Sequence, residues 1–302
     1  MESNSLSPGP ILVASDFSDA ADEAVRQAHL WATRADCELS ALHVMAGAVP
    51  MHPLFPQLHE QDATAAVALE RQLAERLSER INRCIGRDLD SSSVYVDFGD
   101  PYAVIVKKAE QIGASLLVIG GSGATGLKRV FLGSVAEKVV RNAHCSVLVA
   151  RKVSDGSLVL AATDLSDPSL PAVQAAACEA KARKMPLVVM YDIDRWRSLV
   201  SGLALFGAVP VAPSEAMLAE QKVALTGIVQ TQLDRLDVTA TVEVTTEANP
   251  AAAIVRMADN KHAELLVLAS RGRTGLERLA LGSVAEEVLR YAHCSVLVVR
   301  MQ

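Results

Sequence analysis

GSVAEKVVRNAHCSVLVAR, Gly133 to Arg151, returns as GSVAEEVLRYAHCSVLVVR, Gly282 to Arg300, with fifteen of nineteen positions identical. The chain therefore holds two copies of one module, offset by about half its length. That period is far longer than a solenoid repeat, so each copy is expected to be a complete domain with its own core. The expected division is 1–152 and 153–302. It also allows one copy to be read against the other.

Working outward, each copy alternates apolar runs with helix-period stretches. In the first, ILVA at Ile11 to Ala14 precedes a helix-start signal at Asp16-Phe17-Ser18-Asp19, and residues 19–35 follow an Ala-rich amphipathic pattern. ELSALHV (38–44) reads as a strand, and a helix is expected from about Thr64 to Gly86. SSVYVDF (92–98) alternates as a strand, and Pro101 suits a first helical turn. SLLVIG (115–120) reads as a buried strand running into a glycine-rich loop, followed by a short helix from Ser134 and a last strand at 146–151. The second copy repeats this order, with helices expected near Pro168, Ser214 and Pro250. Strands separated by helices need crossover connections and so predict parallel pairing. The expected fold is α/β: two tandem doubly wound domains, each a five-stranded, mostly parallel sheet with helices on both faces. Ligands of such sheets bind beyond the carboxyl ends of the strands, where the strand order reverses.

Composition agrees. Of 302 residues 50% are hydrophobic but only 4% aromatic, a mix that suits buried strands under Ala-rich helices. The net charge of −6, without a long basic run, argues against a nucleic-acid surface. No apolar stretch approaches the ~18 residues of a bilayer span. The opening MESNSLSPGP has no basic region followed by an apolar one, so a cytoplasmic location is expected, with no membrane partner. The cysteines, Cys37, Cys84, Cys145, Cys178 and Cys294, are odd in number and form no CxxC pair, which supports neither a disulfide framework nor a zinc site. Cys145 and Cys294 are expected to be small buried residues; pairing with the adjacent His144 and His293 as a nucleophile is the alternative.

The first glycine loop reads GGSGATGLKRVFLGS, Gly120 to Ser134. It contains GxGxxG at Gly121, Gly123 and Gly126, but it follows the fourth strand rather than the first, and the second copy's SRGRTG breaks the pattern. No GxxxxGK[ST] loop is present. The spacing that fits is Gly120, two residues, Gly123, nine residues, then Gly133-Ser134. Glycines let backbone amides approach a phosphate, and Gly133-Ser134 would set such amides at a helix N-terminus. Ser134 with Glu137, and Ser283 with Glu286, also have the spacing of a capping box, which needs no ligand. Both readings of the serines stand.

With this order of strands, the glycine spacing ahead of SVAEKVV resembles the universal stress protein family, over nearly the whole chain as two tandem domains. The resemblance implies an adenine nucleotide, ATP or else ADP or AMP, with Mg²⁺ as a companion. It places Asp16 near the nucleoside, the backbone at Val44 near the adenine, and Gly120, Gly123, Gly133, Ser134 and Val135 around the phosphates. In the second copy the same roles fall to Asp164, Gly272, Gly282, Ser283 and Val284. Asp16 has an alternative role as a helix cap.

The copies differ. Ala269 replaces Gly120, at a cost if that position needs a positive φ. Arg271 and Arg273 stand where the first copy has Ser122 and Ala124, as phosphate clamps or as solvated side chains. Val44 aligns loosely with Tyr191. The segments after the second strand, AGAVPMHPLFPQLHEQD and RWRSLVSGLALFGAVPVAPSE, are expected either to cover the ligand crevice or to pack on a neighbour. The apolar terminal strands SVLVAR and SVLVVR are expected to pair the two domains within the chain or to serve a homodimer. The leading reading is a nucleotide-binding regulator of stress tolerance. A nucleotide-independent interaction protein is the alternative, followed by a slow nucleotide hydrolase using Asp16 or Asp100.

Overall fold

The computed structural model describes residues 9–46, 59–87, 93–121, 132–153, 155–166, 169–192, 214–247, 249–271 and 281–300. These fall into two compact units, 9–152 and 153–300.

The first unit runs β1 (Ile11–Ala14), α1 (Asp19–Ala35), β2 (Leu39–Met45), α2 (His59–Ile85), β3 (Val94–Phe98), α3 (Pro101–Gln111), β4 (Leu116–Gly120), α4 (Ser134–Asn142) and β5 (Ser146–Ala150). Its strands lie in the order β3-β2-β1-β4-β5, and every pairing is parallel. The second unit runs β6 (Leu158–Thr163), α5 (Leu170–Arg183), β7 (Leu187–Asp192), α6 (Glu215–Leu233), β8 (Ala240–Thr245), α7 (Pro250–Asn260), β9 (Ala263–Ala269), α8 (Ser283–Tyr291) and β10 (Ser295–Val299). Its order, β8-β7-β6-β9-β10, repeats the first, again wholly parallel.

Consecutive strand residues are buried: Leu12 with Val13, Leu116 through Val118, and Leu265 through Val267 are all 0% exposed. Successive strand side chains point to opposite faces, so burial of neighbours requires cover on both. Helix α1 supplies part of it through Ala21, Ala24, Val25, Ala28, Trp31 and Ala32, spaced three and four apart on one stripe. It packs on β1, β4 and β5 and against α2, whereas α3 and α4 pack on each other. The second unit repeats both layers, α5 with α6 and α7 with α8. Each fully buried Leu or Val contributes about 1.5–3 kcal/mol.

Two element starts differ from the sequence pattern. Helix α2 begins at His59, five residues earlier than expected, because nothing between His59 and Thr64 breaks a helix. Helix α5 begins at Leu170; Pro168, the expected start, lies outside the described residues. The sheet order places β1 between β2 and β4, so the strand order reverses at the β1–β4 pair. That is where a doubly wound sheet opens a crevice at its carboxyl edge.

Candidate functional site

The carboxyl edge of the first sheet is assembled from three strand ends. Strand β1 pairs with β2 through Ala14 and Leu42 and with β4 through Val13 and Val118. The parallel registers thus bring Asp16, Val44 and Gly120 to one rim. At β4 the glycine loop leaves and returns to the same point. Gly121 N donates to Ala150 O at 3.0 Å, and Gly133 N donates to Gly121 O at 3.1 Å. The second unit repeats this stem, with Ser270 N to Val299 O at 2.9 Å and Gly282 N to Ser270 O at 2.8 Å. The start of α4 is thereby fixed beside the end of β4. Gly123 and Gly272 lie outside the described residues, as do Gly126, Ser122, Ala124 and Arg273 and most of the segments that follow β2 and β7.

The stem decides how α4 begins. Gly133 is its N-cap, extended at φ −62° and ψ 148°, and no side chain caps it. Ser134 is the first helical residue, so the capping box expected of Ser134 and Glu137 does not form; Glu137 N donates to Gly133 O instead, at 2.9 Å. Gly282 takes the same position ahead of Ser283, and the second box fails alike. The reason is the loop stem, which holds the glycine itself at the cap. Ser134 and Val135 are exposed, as are Ser283 and Val284. The amides of Ser134, Val135 and Ala136 have no acceptor within the helix and carry the positive end of its dipole. An anion fits that arrangement without further rearrangement.

Asp16 does not cap α1. Ser18 does, its hydroxyl accepting from Ala21 N at 3.2 Å. Asp16 Oδ1 accepts from Ser18 N at 3.0 Å, and the residue is exposed on the rim. The turn between them is unusual, because Phe17 is left-handed at φ 62°, a conformation that costs a bulky residue about 1–3 kcal/mol. Leu165 repeats it at φ 58°. In both copies the preceding hydroxyl steadies the turn: Phe17 N donates to Ser15 Oγ at 3.3 Å and Leu165 N to Thr163 Oγ1 at 3.0 Å. Asp164 accepts from Ser166 N at 3.0 Å. The same left-handed turn thus stands beside an acid at the switch point in both copies, held by the hydroxyl two residues before it. No local pattern points to this turn, since neither Phe nor Leu signals a positive φ.

Close packing, and not a positive φ, requires glycine at position 120. It lies outside the left-handed region, but an added Cβ would sit 2.9 Å from both the carbonyl carbon and oxygen of Ala20. The glycine lets the first turn of α1 close onto β4. In the second unit the rim departs further. The pairing of Ala162 with Met190 places Asp192, not Tyr191, at Val44's position, and Tyr191 at His43's. Asp192 Oδ1 accepts from Thr245 Oγ1 at 2.6 Å and from Glu247 N at 2.9 Å, tying β7 to β8. A carboxylate thus stands where the first domain has a valine.

The remaining candidates separate. Asp100 opens α3 at the end of β3, with β2 between it and β1, so it shares no site with Asp16. Cys145 and Cys294 are buried, and the adjacent imidazoles turn to acids on helices: His144 Nδ1 lies 3.8 Å from Glu110 and His293 Nδ1 3.2 Å from Asp259. Burial pushes the Cys37 and Cys84 thiols up, with help from Asp36 and Asp22 respectively, which disfavours a reactive thiolate. Among the described residues no group of three His, Cys, Asp or Glu could hold a metal ion, and no helix is long and apolar enough to cross a membrane.

A doubly wound sheet whose fourth strand ends in a glycine stem at a helix N-terminus, built twice, defines the class. The chain belongs to the universal stress protein family, whose model matches it over residues 9–151 and again over 158–300. It is similar to universal stress protein MJ0531 of Methanocaldococcus jannaschii, 38% identical over 149 residues, which takes in 47% of this chain and 81% of that protein. It is also similar to universal stress protein YxiE of Bacillus subtilis, 29% identical over 153 residues, covering 47% of this chain and 97% of that one. The crystal structure of a universal stress protein from Archaeoglobus fulgidus matches 99% of both chains with a TM-score of 0.65 at 19% identity, a likeness of fold.

Proposed function

We propose that the protein is a stress-response regulator that binds ATP, or a related adenine nucleotide, in its first domain. The observation that carries this reading is the start of α4, where an uncapped helix N-terminus with exposed Ser134 and Val135 is pinned by Gly133 to the end of β4. Asp16 and the backbone at Val44 lie along the same rim. They are suited to the nucleoside, while the amides of Ser134 and Val135, with Gly120 and Gly123, take the phosphates. Any Mg²⁺ would arrive with the phosphates. In the second domain Gly272, Gly282, Ser283 and Val284 repeat the phosphate positions and Asp164 the nucleoside acid, but Ala269 replaces Gly120 and Asp192 stands in place of Val44, so that domain binds ATP weakly or not at all. Binding without turnover is the proposed activity, and a phosphate-release assay with and without Mg²⁺ would expose a hydrolase.

Ser134→Asp tests the site. A carboxylate at the first helical position suits the helix dipole and leaves the fold intact, but it repels phosphate. The expected result is unchanged unfolding with ATP affinity reduced at least tenfold by calorimetry. Unchanged affinity would move the site elsewhere.

A further inference from the structure

Three side chains from three elements meet at the nucleoside end of the first domain's rim. Phe17 occupies the strained turn between Asp16 and Ser18. Its ring lies 4.5 Å, centroid to centroid, from that of His43, inclined at 51°, within the range of a favourable aromatic pair. His43 Nδ1 stands 2.7 Å from Ser15 O, so that nitrogen bears the proton and donates it. The imidazole therefore bonds β2 to the backbone just before Asp16, one residue short of Val44. From α2, the exposed Arg76 places its Cζ 5.0 Å from the Phe17 centroid, a cation–π distance.

The second domain keeps the turn and lacks all three groups. Leu165 takes the left-handed position at φ 58°. The β6–β7 register puts Tyr191 at His43's place. The buried positions of α6, Leu225, Val229 and Leu233, match buried Leu77 and Ile81 of α2 in two registers, which put Ala224 or Ile228 in the place of Arg76, and neither is a cation. The strained turn is thus common to both copies, and among the described residues the ring-and-cation stack on it belongs to the first alone. Hydrophobic packing would have been served by Leu in either copy. The aromatic set instead joins the residues flanking Asp16 to the residue preceding Val44.

We propose that Phe17, His43 and Arg76 form a clamp that holds Asp16 and Val44 in register for a purine nucleoside, and that its loss leaves the second domain without base recognition. This rests on the reading of the first domain as a nucleotide site. Phe17 and His43 are positioning residues, and Arg76 fixes the ring from above the rim. The clamp acts on the base end and leaves the phosphate end at α4 untouched.

Calorimetry with ATP, adenosine and inorganic tripolyphosphate separates the two ends. For the full chain carrying Phe17→Leu and Arg76→Ala, the expected result is at least tenfold weaker binding of ATP and adenosine with tripolyphosphate unchanged. Phe17→Tyr, which keeps the ring, should bind all three as the wild type does. A double variant that binds ATP like the wild type overturns the clamp alone, as does one that loses tripolyphosphate in equal proportion. Wild-type protein that binds none of the three overturns the nucleotide reading and the clamp with it.

Discussion

At Gly120 a methyl group would meet the Ala20 backbone at 2.9 Å, and backbone cannot rotate away as a side-chain tip can. Gly120→Ala should therefore push α1 off β4 and destabilise the first domain by about 1–3 kcal/mol, the cost of overpacking. Urea denaturation checks this, and an unchanged midpoint would mean that the helix yields freely. The need for glycine here was legible in the sequence as a spacing, but its cause was not. A close approach between residues a hundred positions apart leaves no local mark, whereas phosphate binding and a positive φ are the usual local explanations. Asp192 was hidden in the same way. Only the strand register shows that it, and not Tyr191, answers to Val44.

Helix starts show how tertiary tethers override local signals. Ser18 caps α1 through Ala21 N, so Ser18→Ala should cost about 1 kcal/mol. Ser134→Ala should cost only a few tenths, because Gly133 holds the cap and the serine hydroxyl is exposed. Comparable losses in urea denaturation would restore the capping box as Ser134's role. The sequence pattern favoured that box since Ser-x-x-Glu is a local motif, while the Gly121–Gly133 bond that displaces it closes a loop of residues without such a signature.

Strand β8 carries a pH-dependent contribution of its own. Burial raises the Glu243 carboxyl, but the hydrogen bond from Lys261 and the nearby Lys222 outweigh burial and leave it below the usual carboxylate value of 4.5. A depressed folded-state pKa means stability present at neutral pH and lost as pH falls through it. Glu243→Gln should be less stable than wild type at pH 7, with the difference closing as pH falls below the usual carboxylate value and through the depressed one. A difference that persists in acid would assign the loss to packing.

For the molecule as a whole, the element order, the mostly parallel pairing and the duplication could be read from apolar runs and the Gly133–Arg151 repeat. Those features are set by burial, which sequence periodicity records directly. The proposed division of labour between the domains could be read only in part: Ala269 was legible as a departure from Gly120, whereas Asp192 and the missing clamp are defined by spatial neighbours. Each copy has a parallel sheet of the same strand order, the same strained turn and a helix start without a side-chain cap, and they differ where Asp192 stands in place of Val44. The account therefore predicts one ATP per chain. Titration calorimetry of ATP into the full chain, repeated with Ser134→Asp and with Ser283→Asp, tests this most directly. The predicted result is a single site, lost in Ser134→Asp and kept in Ser283→Asp. Two equivalent sites, a site lost only in Ser283→Asp, or no binding by the wild type would contradict it.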